Sequence, residues 1–350
     1  MTSSQSIIRS YLLIAGLYTL SASVIWGVNT LFLLDAGLTI GQVFVVNAIF
    51  TGAMALFEIP TGVLADTQGR RTSFLLSVLV VLVGTIGYMA ASYADAAATL
   101  ALLVLFSVVL GLGYTFYSGA VEAWLVDALD ATGFDDDLDH VFARGSIVSG
   151  AAMLIGSVGG GLLASYDLTL AYWARAMLLA VVFVVAWFLM HDVGFTPKKM
   201  RLAQLPEEMT EVARLSIRHG WKQPSVRLLM MIGFVQGLFM AWGFYAWQPY
   251  FLELLGADLP WVAGVIAALA SLATLAGSEI SELLTRQAGR RTTILWSAAL
   301  IQTAAIIGVA LAASFWQAVA LYLLAMLAMG LWSPVRQAYL HGLIPSKQRA

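Results

Sequence analysis

The 350-residue chain has no cysteine, only eight prolines, and charge on just 11% of its residues. Without cysteine there is no disulfide framework, no thiolate metal site and no thiol nucleophile. With so little charge a water-soluble fold could not cover its own surface, because ordinary globular chains are about 25% charged. The net charge of -2 provides no basic field to recruit nucleic acid. What is abundant is apolar: 60% of residues are hydrophobic, and the mean hydropathy is +0.86. Such a composition belongs to an integral, multi-pass membrane protein whose first environment is the lipid bilayer.

A membrane-crossing helix needs about 20 mainly apolar residues. Ten stretches qualify, at 11–34, 41–65, 72–92, 98–124, 146–165, 170–190, 227–253, 261–284, 292–313 and 317–341. None alternates apolar with polar residues as barrel strands do, so the expectation is an all-α polytopic bundle. The first stretch is too long for the apolar region of a leader peptide and is read as a retained span. With the N-terminus in the cytoplasm, 17 of the 18 basic residues fall on the cytoplasmic side and only Arg175 does not. The long hydrophilic connection 191–226 parts six spans from four. This gives an N-terminal bundle at 1–190, a linker and a C-terminal bundle at 227–350. Within the linker Leu205, Met209, Val212 and Leu215 recur at helical spacing, as in a short amphipathic helix at the headgroups.

The two parts share a repeat. Leu64 to Leu75 aligns, 220 positions on, with Leu284 to Leu295, and six of the twelve residues agree, including Gly-Arg-Arg-Thr. Parallel repeats of this kind build secondary transporters. Gly62-Val-Leu-Ala-Asp66-Thr-Gln-Gly69-Arg70-Arg71, preceded by Glu58-Ile-Pro-Thr61, closely resembles the turn between helices two and three of the major facilitator superfamily. Only Thr67 departs, standing where that family has a basic residue. The segment is closest to the family's drug–proton antiporters. Gly156-Ser-Val-Gly-Gly160-Gly161 also resembles their antiporter motif, with Ser157 in place of proline. Close helix packing through small residues accounts for the same glycines. Ser107, four residues before Gly111, stands where the family carries arginine.

The resemblance implies alternating access, with export of a small hydrophobic solute in exchange for protons from a bacterial inner membrane. A proton-coupled or uniport importer is the alternative. The resemblance also implies a cytoplasmic gate built on Gly62, Asp66, Gly69, Arg70 and Arg71. On physical grounds Gly62 permits close helix approach, Gly69 a tight turn, and Asp66 a bond to a neighbouring helix N-terminus. Glu122 and Asp127 are partners for the two arginines, while Glu279 and Glu282 are partners for Arg290 and Arg291 in the second copy.

Ionisable residues at membrane depth face a cavity or a partner. Glu58, two turns before Asp66, is the candidate proton carrier, the competing reading being a gate carboxylate. Arg175 either attracts an anion or pairs with Glu253 or Asp258. Arg336 can snorkel to the cytoplasmic face. Together with Arg175, the residues Trp26, Asn29, Tyr114, Tyr117, Trp242, Tyr245 and Gln248 are the cavity candidates, although aromatics also populate interfacial belts. Asp135-Asp-Asp-Leu-Asp139 resembles the magnesium-diphosphate motif of membrane prenyltransferases. With no second acidic cluster it reads as a solvated loop. No cofactor or resident metal is expected, no glycine-rich loop with lysine supports ATP-driven transport, and a monomer is expected. Ten spans are two fewer than the family's twelve, so the reading includes a chain lacking the last two helices.

Overall fold

The computed structural model describes residues 4–134, 136–195, 214, 224–288 and 291–343. Among the described residues every regular element is helical. The first part comprises α1 (Ser4–Ser23), α2 (Asn29–Asp35), α3 (Ile40–Gln68), α4 (Arg70–Ser92), α5 (Ala96–Tyr117), α6 (Ala120–Asp130), α7 (Leu138–Ala164) and α8 (Leu168–Leu189). The second comprises α9 (Pro224–Tyr245), α10 (Trp247–Leu255), α11 (Pro260–Ala288), α12 (Arg291–Ala310) and α13 (Phe315–Leu343). Among the described residues eight spans are long and apolar enough to cross a membrane, one of them running through α5 and α6.

Three expected spans are not single helices. The stretch 11–34 divides into α1 and α2, 98–124 into α5 and α6, and 227–253 into α9 and α10. A hydropathy window counts apolar letters and does not register a backbone break. At Gly119 the chain takes φ +68, a left-handed conformation that glycine adopts without strain, and α6 starts at the next residue. The amphipathic helix expected at Leu205–Leu215 lies outside the described residues.

The repeat extends well beyond the turn. Moved 220 positions on, Ile40–Gln68 becomes Pro260–Ala288, so α3 and α11 coincide at both ends. The same offset carries α1 onto α9, α2 onto α10 and α4 onto α12 within a few residues. Packing repeats too, since α5 packs extensively against α3 and α4, and α13 against α11 and α12. One apolar core gathers residues from Ile7 to Met190 and another from Trp247 to Met326.

All turns of one kind lie at one end. The connections at 36–39, 93–95, 165–167 and 256–259 define the distal end, and the turn at Gly69, the 131–137 loop and residues 190–195 the proximal end. Asp95 and Asp167 cap α5 and α8 distally by accepting the backbone N–H groups of Ala98 and Thr169.

Candidate functional site

Distally the two parts meet. Ser165 Oγ accepts the backbone N–H of Trp261 at 3.1 Å. A Cβ built on Gly161 would lie 2.9 Å from Gly264 Cα, so neither helix tolerates a side chain there. Gly156 and Gly160 press against α1 and its end in the same way, their Cβ positions colliding with Ser23 Oγ and the Val24 carbonyl. The glycines that resemble an antiporter motif are therefore occupied in packing α7 onto α1 and α11.

The break between α1 and α2 is closed from the other part. Gln248 is buried, its Oε1 accepts Thr30 N–H at 2.9 Å, and its Nε2 donates to the Trp26 carbonyl at 3.1 Å. Residues 26 and 30 are the i→i−4 pair that a continuous helix would bond directly, so the Gln248 amide substitutes for one missing rung. Thr30 Oγ1 adds a 2.6 Å bond to the Tyr245 carbonyl. Breaks at membrane depth persist where freed backbone groups are satisfied in this manner.

Directly beneath lies a cavity of about 180 Å³. Six of the eight sequence candidates line it: Trp26, Asn29, Tyr114, Arg175, Tyr245 and Gln248. Tyr117 does not. It stacks instead on Tyr18, with ring centroids 4.0 Å apart and planes 8° from parallel. The side chain of Trp242 lies outside the described residues. Asn47, Phe50, Thr85, Tyr88 and Tyr172 complete much of the wall, and sequence reasoning missed them. Tyr172 and Tyr88 could have been found from their helical phase, Tyr172 being three residues before Arg175.

Arg175 is 3% exposed. Its Nη2 donates to Tyr114 OH at 3.1 Å and its guanidinium carbon sits 5.9 Å from that ring's centroid. Among the described residues it forms no ion pair, so the expected pairing with Glu253 or Asp258 is not formed. Both carboxylates belong to the exposed distal rim, whereas Arg175 points inward. Ser107 hydrogen-bonds Tyr88 OH at 2.6 Å. The guanidinium in this region thus comes from α8, not α5.

At the proximal end, Arg70 pairs with Asp66 at 2.6 Å and with Asp127 at 3.7 Å. Arg71 donates Nη2 to the Trp187 carbonyl at 2.9 Å and lies 4.8 Å over the Trp187 ring. The carboxylate that caps α4 is Asp192, which accepts Arg71 N–H at 2.9 Å. Gly69 has φ +103, and a Cβ there would collide with the Asp192 carboxylate. Sequence reasoning missed Asp192, because helix-cap rules look a few residues away and this one is 121 positions distant.

Several expectations need correction. Gly62 makes no close approach, since a Cβ there meets nothing within 4 Å. The helix N-terminus next to this turn receives Asp192, while Asp66 lies one helical turn from Arg70 and pairs with it. Glu122 and Glu279 are exposed and, among the described residues, in no ion pair. Glu282 is exposed on α11, Arg290 lies outside the described residues, and so does the side chain of Arg291. Arg336 does not simply snorkel. It stacks 4.5 Å over Trp332 and lines a second cavity of about 500 Å³ within the second part. Glu58 is exposed on α3 and lies outside the wall of the central cavity. Of the acidic run, Asp135 lies outside the described residues and Asp137 caps α7.

The sequence profile described as Major Facilitator Superfamily matches residues 11–350. The chain belongs to the major facilitator superfamily. No curated protein matches it. Among solved structures it is similar to a bacterial homologue of the human lysosomal transporter Spinster in an inward-facing, unoccupied conformation. The identity is 17% and the TM-score 0.71, over 99% of this chain and 77% of that one. A bacterial homologue of the iron transporter ferroportin, inward-facing, gives 17% and 0.70 over 99% and 86%. The nucleoside transporter NupG gives 12% and 0.71 over 98% and 84%. At these identities the likeness concerns the fold. As a major facilitator the protein is a secondary transporter working by alternating access, and not an enzyme.

Proposed function

We propose that this major facilitator exports a small, largely apolar solute in exchange for protons, with its N-terminus and the Gly69 turn in the cytoplasm. Six spans precede the 191–226 connection and four follow it. The observation that carries the reading is the central cavity, walled by both parts and sealed distally by Gln248. With the distal end closed by the Gln248 and Ser165 bonds, solute enters from the proximal side in this state. Rocking the two parts would release it distally, breaking the Gln248 bonds and the Ser165–Trp261 bond.

Glu58 is the proton carrier in this reading. It shares a face of α3 with Thr51, seven residues earlier, whose hydroxyl donates to the backbone carbonyl of Asn47, a residue of the cavity wall. By helical rise the carboxylate lies about 10 Å proximal to Thr51, on the open approach to the cavity. The test is transport in proteoliposomes under an imposed pH gradient, using a ligand selected by thermal stabilisation of the purified protein. Glu58→Gln should keep solute exchange and lose pH-driven accumulation. Full pH-driven uptake by that variant removes Glu58 from the proton role. An importer using the same cavity is the second reading, favoured by the packing role of Gly156, Gly160 and Gly161. The sign of the pH effect on uptake separates the two.

A further inference from the structure

The central cavity holds a cation, and among the described residues its wall contains no carboxylate. Arg175 is buried on α8, and among the described residues its one hydrogen bond goes to Tyr114 OH. Its Nε is buried with no hydrogen-bond partner. A guanidinium carries five N–H donors and no acceptor, and removing such a charge from water without a counter-charge is strongly unfavourable. The described ion pairs, Arg70 with Asp66 and Asp127, lie at the proximal end.

The remaining polar groups described in the wall are neutral. Gln248 uses both ends of its amide on Thr30 and Trp26. Asn47 Nδ2 donates to the Val43 carbonyl, and Tyr88 OH is engaged with Ser107. Tyr172 OH donates to Asn29 Oδ1 at 2.7 Å, which takes up an Asn29 acceptor and leaves its NH₂ to donate. The one charge described in the cavity is thus the Arg175 guanidinium, with the Asn29 NH₂ as a further donor, while the acceptors left over, Asn47 Oδ1 among them, are neutral. Around it stand the rings of Trp26, Phe50, Tyr88 and Tyr172. Arginine favours planar acid groups because its fork matches their geometry.

We infer that the transported solute is a small organic anion: one acid group, received by Arg175 beside the Asn29 amide, on a flat apolar or aromatic body held among the rings. A volume of about 180 Å³ suits a single-ring acid and not an extended amphiphile. The inference rests on the reading that this cavity is the solute's path, and it specifies the solute further.

The experiment uses three probes with the same ring and different charge: benzoate, benzamide and benzylamine. Each is added to the full-length purified protein, and thermal stability is followed with concentration. Benzoate should raise the melting temperature while the neutral and cationic probes leave it unchanged. Arg175→Met should abolish that preference, and Arg175→Lys should retain it with at least tenfold weaker apparent affinity. Should Arg175→Met fail to fold, Asn29→Asp decides. It still accepts from Tyr172 and supplies the counter-charge internally, so its melting temperature should rise and benzoate should no longer stabilise it. Equal stabilisation by benzamide, no response to any probe, or a benzoate response intact in Asn29→Asp would each overturn the inference. Uptake of labelled probe into proteoliposomes separates it from the reading beneath. Benzoate that stabilises but does not cross keeps the anion site and refutes the path, whereas benzamide crossing as fast as benzoate keeps the path and refutes the anion.

Discussion

Asp192 and Asp127 both approach the Gly69–Arg71 turn, and magnitudes separate their roles. Asp192 caps a helix N-terminus, an interaction whose loss costs about 0.5–2 kcal/mol. Asp127 meets Arg70 at 3.7 Å with both side chains partly exposed, where a pair contributes about 0–1 kcal/mol. Asp192→Ala should therefore lower the melting temperature in detergent clearly more than Asp127→Asn does. Equal effects would show that the turn is held by charge and not by the cap. Distally, the Asp167 carboxyl is held below its ordinary value, first by the Thr169 hydroxyl and then by the Thr169 N–H. The folded state therefore favours the ionised form. That stabilisation is complete above the unfolded value of 3.8 and is lost as pH falls through the lower folded value. Thr169→Val should shrink the acid-side loss of stability, read from melting temperatures across that range. The Asp167 cap is local, its recipient Thr169 standing two residues on. The Asp192 cap was not legible in the sequence, because its recipient is remote.

Helix identity was read well from apolar runs, and helix continuity poorly. The stretch 11–34 looks uniform by composition, yet α1 ends at Ser23 because a partner glutamine from the other part completes the backbone that the break exposes. Nothing within that stretch announces Gln248. The Gly-Arg-Arg repeat was legible, and it marks the same offset that superposes α3 on α11. Its wider extent is carried by element lengths and not by residue identity. Gln248→Leu should leave the Thr30 N–H and the Trp26 carbonyl without partners while the distal end is closed. Burying two such groups costs about 1–3 kcal/mol each, so the distally closed state should lose population. Labelling of Ala267→Cys, buried beside Gly27 of the first part while the distal end is closed, in a chain with no native cysteine, should become faster. Gly161→Ala should act in the same direction, because its methyl group meets Gly264 of α11 only while the two parts are closed distally. Unchanged labelling in both variants would mean that these contacts do not hold the distal end shut.

For the whole molecule, membrane residence, helical class and family were all legible, since they rest on composition and one motif-bearing turn. The cavity wall was legible in part. Trp26, Asn29, Tyr114, Arg175, Tyr245 and Gln248 stand out as polar or aromatic residues in apolar runs. Phe50 and Thr85 do not, because only the packing of α3, α4 and α5 decides which of many similar residues face inward. Burial also distinguishes the two parts beyond any sequence signal. In the apolar stretch of α4, 61% of residues are buried, against 28% in its counterpart α12. α4 packs extensively against α8, while α12 leaves Trp296 and Leu300 largely exposed, as suits a lipid-facing helix.

The central claim is that the two parts rock about this cavity, opening one end as the other closes. Spin labels on Ile147→Cys with Leu283→Cys report the proximal gap, and labels on Tyr166→Cys with Asp258→Cys report the distal one. Distance distributions should show two populations at each end, responding oppositely to a shift from neutral to acidic pH. A single unchanging distance at both ends would contradict the account.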